Sequence, residues 1–162
     1  MKLRALEQRD APLMLEWMHD ESVVHHLGTN FMEKTMDDCR RFIDWAGSTR
    51  EDLHLAVTDA QDTYMGTVSL KHIHGGTAEF AITVRSCAMG KGYSRYGMAA
   101  ILEKGLQELG LEAIYWCVSR HNARAVRFYD KNGYVRTQQV PQSILQAYTP
   151  EQNADFIWYV YR

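Results

Sequence analysis

The order strand, glycine-rich loop, helix, running from residue 77 to residue 110, constrains this chain more than any other stretch. Thr77-Ala78-Glu79-Phe80-Ala81-Ile82-Thr83-Val84 alternates apolar with small or polar residues, as a strand does. Met98, Ile101, Leu102, Gly105, Leu106 and Leu109 then recur at helical spacing until Gly110 ends the run. Between them stands Met89-Gly90-Lys91-Gly92-Tyr93-Ser94. A loop of this kind aims several backbone N–H groups and the positive end of a helix dipole at one spot, which suits a phosphate or diphosphate. Spacing rules out two nucleotide readings. A P-loop needs Gly, four residues, then Gly-Lys-Ser/Thr, but Lys91 is followed by Gly92 and no glycine stands five residues before Gly90. A dinucleotide fingerprint needs a third glycine where Arg95 stands.

At 162 residues the chain has the size of one domain, and 46% apolar with 23% charged residues is ordinary for a soluble globular protein. No apolar run approaches the ~18 residues of a membrane span and the N-terminus lacks a signal-peptide core, so no membrane partner is expected. Cys39, Cys87 and Cys117 are odd in number and lack metal or redox spacing; they read as free thiols in a reducing cytoplasm. Charge is unevenly spread. Residues 1–62 hold 13 Asp/Glu against 7 Lys/Arg, and residues 63–162 hold 7 against 11. A basic second half suits a polyanionic cofactor and an acidic first half a cationic amine, although each charge taken singly also reads as part of a solvated face. Nucleic acid is not expected as a partner, because no basic stripe is interleaved with aromatics.

In chain order, Leu3–Leu6 reads as a short strand. Asp10 is a candidate N-cap with Pro12 early in a helix faced by Leu13, Met14, Trp17 and Met18. Residues 20–32 are irregular. Thr35 and Asp38 form a capping box for a helix carrying Cys39, Phe42 and Ile43, stopped by Gly47. Strands over 53–57, 64–70 and 77–84 form a meander, followed by the loop, a helix of roughly 94–109 and a strand at 113–118. A helix over 123–131 ends at Asn132-Gly133, Tyr134-Val135 opens a strand, and 156–160 closes the fold.

A second motif carries independent weight. Asn122, Ala125, Val126, Phe128, Tyr129, Gly133 and Tyr134 follow a strand in the pattern Asn-x-x-Ala, an apolar residue, x-x-Tyr and Gly-Phe/Tyr. Together with Gly92 in the loop, where the pattern is Gln/Arg-x-x-Gly-x-Gly/Ala, this resembles the GNAT N-acetyltransferase superfamily. Met89 and Ser94 depart from the loop pattern. The opening Leu3-Arg4-Ala5-Leu6 followed by Asp10 is similar to the protein-, polyamine- and sugar-modifying branches. The resemblance covers nearly the whole chain, most thinly at 20–50 and 138–155. It implies a single domain over 1–162 of mixed α/β (α+β) class: a mostly antiparallel sheet flanked by helices and splayed at an acyl-CoA cleft. It further implies that the pantetheine arm of acetyl-CoA lies along Ile82, Thr83 and Val84 like an added strand, and that the diphosphate meets the backbone from Met89 through Gly90, Lys91, Gly92 and Tyr93 to Ser94.

The implied reaction is direct attack of a primary amine on a thioester, with no acyl-enzyme and no metal. An alkyl amine with a pKa near ~10 must lose a proton first. Glu79 is the candidate base, since it sits on the strand whose backbone is implied to hold the cofactor, with Ala81 and Thr83 on its face; a solvated carboxylate, or one paired with Lys71 or Arg85, is the structural alternative. Tyr129 stands where the family places its general acid, and it also reads as a packed helix aromatic. Asn122 reads as a helix N-cap and as a further cofactor contact. Cys117 occupies the position where some relatives carry a glutamate base, and reads as core. His72 and His74 alternate onto one strand face without a third metal ligand. Trp17, Phe31 and Trp45 read as core. Glu16, Asp20, Glu21 and Glu33 are candidates for holding a cationic acceptor such as an amino sugar or a polyamine. A protein N-terminus or lysine is the alternative acceptor, a non-catalytic acyl-CoA sensor the alternative function, and a homodimer an assembly open to the chain.

Overall fold

The computed structural model describes residues 1–162. Seven strands form one sheet: β1 (Lys2–Ala5), β2 (Leu53–Thr58), β3 (Tyr64–His74), β4 (Thr77–Val84), β5 (Ala113–Ser119), β6 (Val135–Thr137) and β7 (Phe156–Tyr161). Their order across the sheet is β1-β2-β3-β4-β5-β7-β6, antiparallel at every pair except β4 with β5. The helices are α1 (Ala11–Met18), α2 (Glu21–Val24), α3 (Met36–Ala46), α4 (Tyr93–Gln107), α5 (Ala123–Lys131), α6 (Gln142–Leu145) and α7 (Pro150–Asp155).

Local chemistry explains most boundaries. Thr35 and Asp38 make the reciprocal capping box of α3, with the Asp38 N–H donating to Thr35 Oγ1 at 3.2 Å and the Thr35 N–H to Asp38 Oδ2 at 2.8 Å. Asn122 caps α5 by accepting the Ala125 N–H at 3.2 Å. The expected Asp10 cap is replaced by a different arrangement. A 3-10 turn precedes α1, and the buried Asp10 carboxylate takes both terminal nitrogens of Arg4 at 2.8 and 2.9 Å and the Glu7 N–H at 2.8 Å. A cation delivered from β1 outbids the helix end because a two-pronged, charge-assisted pair is stronger than one cap bond.

One face of the sheet is covered by α4 and α5. Val57, Val68, Leu70, Ala78, Phe80, Ile114, Trp116 and Tyr159 pack there with Met98, Ile101, Leu102 and Tyr129. The α4 backbone sits close: a Cβ on Gly97 would fall 2.7 Å from Val57 Cγ2. The other face is covered by two separate clusters. Met14, Trp17, Met18, Cys39 and Ile43 of α1 and α3 pack on Ala56 and Tyr64, where the Trp17 indole N–H donates to the Tyr64 hydroxyl at 2.9 Å. At the far end Ile144 packs on Ala113, Tyr115, Trp158 and Val160. The middle strip on this face comprises Glu79, Ala81 and Thr83 of β4, opposite Lys71, Ser69 and Thr67 of β3. Trp45, expected in the core, is 45% exposed at the end of α3.

Candidate active site

Strand β4 pairs with β3 along its whole length but with β5 only at Thr77↔Ala113, Ala78↔Ile114 and Glu79↔Tyr115. Beyond Glu79 the two strands part, so the β5-facing edge from Phe80 to Val84 has no strand partner. Ile82 and Thr83 are half-buried on this edge and Val84 is buried. Such an edge accepts an extended ligand carrying amides of its own. At the open end of the fork a 3-10 turn (Ser86–Ala88) leads through Met89 to Gly90 (φ +74°) and Gly92 (φ +90°), then into α4. Both glycines adopt left-handed backbone that a side chain would strain. No backbone N–H from Gly90 through Arg95 finds an acceptor in the protein. Six successive free donors stand at the start of a fifteen-residue helix, an arrangement of backbone alone that suits an anion. The Met89 and Ser94 side chains, which depart from the motif, take no part in that set of donors. Met89 Sδ also lies 3.8 Å from an Arg124 guanidinium nitrogen, which places a cation near the loop.

Tyr129 projects from α5 into the aromatic group at the vertex of the fork. Its ring stands 5.6 Å from Trp116, the β5 residue just past the last β4 pair, and 5.1 Å from Tyr159. The residue is 8% exposed, and its hydroxyl makes no hydrogen bond to the protein. Burial raises its pKa above the usual phenol value. Asn122 spends its side-chain oxygen on the α5 cap.

Glu79 lies at the same vertex and is 2% exposed. The Tyr148 hydroxyl donates to its Oε2. Oε1 has Lys71 Nζ at 3.9 Å and His72 Nδ1 at 3.2 Å, neither in hydrogen-bond alignment, and so remains an unpartnered buried acceptor. Lys71 was one of two expected ion partners. Arg85, the other, instead grips Glu16 at 2.9 and 3.1 Å and the Tyr64 carbonyl at 3.1 Å, which ties α1 to the end of β4. Both carboxylate oxygens of Glu16, a candidate for holding a cationic acceptor, are thus engaged by Arg85. Asp20 caps α2 through the Ser22 N–H, and the hydroxyls of Ser22 and Ser86 hold its carboxyl below the usual range. Glu21 and Glu33 are exposed and form no ion pair.

Tyr148 and His72 are the residues that sequence reasoning missed. Tyr148 sits between α6 and α7, in the stretch 138–155 where the family resemblance is thin. The Thr149/Gln152 capping box with Pro150 at the first helical position was a legible signal for α7. Burial and the neighbouring Cys117 and Glu79 push the Tyr148 pKa upward. Burial, with Glu79 second, pushes the Cys117 thiol up to about 12, so it carries no thiolate at neutral pH. His72 departs from regular strand alternation with Lys71. Register shifts between Lys71 and His74, and His72 has φ +55°, a conformation costing a non-glycine residue about 1 kcal/mol. The bulge swings His72 onto the Glu79 side. No group of three or more His, Cys, Asp or Glu is arranged to hold a metal ion, and no helix is long and apolar enough to cross a membrane.

Comparison with known proteins bears on the family and the fold. Residues 1–135 match the family model described as an acetyltransferase (GNAT) domain. The spermidine N(1)-acetyltransferase of Vibrio cholerae is 28% identical over 141 residues, covering 83% of this chain and 79% of the relative. Among solved structures, the Vibrio cholerae spermidine N-acetyltransferase in complex with CoA and spermine superposes with a TM-score of 0.80 at 21% identity, over 99% of this chain and 94% of that one. A structure of the Vibrio cholerae enzyme described as dodecameric gives 0.74 at 22% identity, over 99% and 92%. At these identities the superpositions speak for the fold.

Proposed function

The chain belongs to the GNAT acetyltransferase family, and from that premise we propose that it transfers the acetyl group of acetyl-CoA directly to a primary amine of a small polyamine-like acceptor. The observation that carries this reading is the fork: β4 and β5 separate after Glu79 and open onto six unpartnered amides. In this reading the edge at Ile82, Thr83 and Val84 takes the pantetheine amides, the backbone from Met89 to Ser94 takes the diphosphate, and Asn122 lies beside the cofactor. Acetyl-CoA supplies the thioester. Glu79 accepts the proton of the incoming ammonium through its free Oε1, while Tyr148 fixes the other oxygen. A backbone N–H of β4 near Ile82 polarises the carbonyl.

Tyr129 faces the departing thiolate. Reference pKa values of about 10 for a phenol and 8.5 for a thiol already make full proton transfer uphill by roughly 2 kcal/mol. Burial widens that gap, so Tyr129 acts chiefly by donating a hydrogen bond that stabilises the thiolate. A polyamine acceptor is supported by the spermidine acetyltransferase relative and by acidic residues in the first half of the chain. The relative described as dodecameric supports an oligomer as the working form, and three free cysteines support a reducing, cytoplasmic setting.

The test is to incubate the protein with acetyl-CoA and a panel of spermidine, spermine, an amino sugar and a peptide N-terminus, and to follow release of free thiol. Release that depends on amine and is fastest with the polyamines is the expected outcome. Release with the peptide alone would move the acceptor to protein. Tight CoA binding with no amine-dependent release would make the chain an acyl-CoA sensor.

A further inference from the structure

A buried base that takes a proton at every turnover needs a way to lose it. Glu79 is closed to water, and four groups face it from the elements around it: Tyr148 from the α6–α7 connection, Cys117 from β5, and Lys71 and His72 from β3. Tyr148 and Cys117 are held in their protonated forms, so neither takes a proton from the carboxylic acid. Lys71 is a cation without a lone pair to offer. His72 alone combines a ring nitrogen able to take up and give back a proton with access to water: Nδ1 stands 3.2 Å from Glu79 Oε1, and the side chain is 42% exposed.

The backbone is built to put it there. In regular alternation His72 would point to the face opposite Glu79 and Lys71. The left-handed bulge reverses that, and the strained residue is pinned by its own N–H, which donates to Asp52 Oδ1 at 3.0 Å. Asp52 is held in turn through Oδ2, 3.1 Å from His54 Nε2, while His54 Nδ1 stands 2.6 Å from Ser69 Oγ. His54 is buried against Phe42, and burial lowers its pKa. It is thus neutral, with Nε2–H donating to Asp52 and Nδ1 accepting from the Ser69 hydroxyl. This chain of side chains holds the bulge, and the His72 ring itself makes no aligned hydrogen bond.

We propose that His72 is the proton outlet of the active site, a relay residue that regenerates the Glu79 carboxylate after each acetyl transfer, with Asp52 as the positioning residue that holds it in reach. The inference rests on the reading of Glu79 as the base. The acceptor ammonium gives its proton to Glu79 Oε1. The carboxylic acid O–H then transfers its proton to His72 Nδ1 once the ring turns into line, leaving carboxylate and imidazolium. The imidazolium releases a proton from Nε2 to water, and exchange with solvent restores the starting tautomer.

The deciding variant is His72→Gly, because glycine adopts φ +55° without strain and preserves the bulge. With spermidine and acetyl-CoA, kcat should fall about ten-fold or more in dilute non-basic buffer. Added imidazole should restore it in proportion to its concentration, while the wild-type rate stays independent of imidazole. Asp52→Asn, which still offers an oxygen to the His72 N–H but loses its charge-assisted hold, should show the same rescue on a smaller loss. A His72→Gly rate equal to wild type at every buffer concentration, with Glu79→Gln inactive, overturns the relay and leaves Glu79 as base. A loss that imidazole does not restore also overturns it, assigning His72 a structural role. Glu79→Gln that is fully active removes the base reading itself.

Discussion

Glu79→Gln should lower kcat for acetyl transfer to spermidine at neutral pH by about 10²- to 10⁴-fold, or roughly 3–5 kcal/mol of transition-state stabilisation. The substitution is chosen to leave the fold alone. A glutamine oxygen still accepts the Tyr148 hydroxyl, and its NH₂ can face the His72 ring nitrogen that now stands 3.2 Å from Oε1. The melting temperature should therefore move by only a few degrees for a loss of about 1 kcal/mol. What disappears is the buried acceptor that relieves the ammonium of its proton. The loss should shrink as pH rises, by about ten-fold per unit, until the free amine predominates near its own pKa of ~10. A variant that retains activity within a few-fold of wild type, or one whose deficit is independent of pH, would remove Glu79 from the chemistry.

Tyr129→Phe should cost about 10²-fold in kcat with little change in KM for acetyl-CoA. The ring packs on Trp116, Tyr134 and Tyr159, and phenylalanine keeps those contacts. The hydroxyl makes no hydrogen bond to the protein, so its removal leaves no partner stranded, and stability should change by less than about 1 kcal/mol. Steady-state kinetics beside a thermal melt separate the two effects. Unchanged kcat would make Tyr129 a packing residue. A fall in kcat matched by a large loss of stability would make it structural.

Much of this site was legible in the sequence because its parts are local. A glycine loop between strand and helix encodes its own free amides, and the Asn122 cap and the Thr35/Asp38 box each complete within four residues. Strand alternation put Glu79, Ala81 and Thr83 on one face, and the register with β3 keeps them there. What escaped was long-range. Tyr148 reaches Glu79, and Arg85 reaches Glu16, each across 69 residues, so neither pairing leaves a mark in any short window. Asp10 had the look of a cap, yet Arg4 of β1 arrives first. His72 was misread for the opposite reason: a one-residue bulge inverts the face that a period of two assigns, and nothing in Leu70-Lys71-His72-Ile73-His74 announces it.

The central claim is that the parted strands and the bare amides behind them form one seat for acetyl-CoA, and a crystal structure of the complex with CoA tests it most directly. The account predicts pantetheine amides bonded to β4 between Phe80 and Val84, diphosphate oxygens within hydrogen-bond distance of backbone N–H groups from Gly90 to Ser94, and the sulfur beside Tyr129. Strands β4 and β5 paired beyond Glu79↔Tyr115 along their full length, with CoA bound elsewhere on the surface, would contradict it.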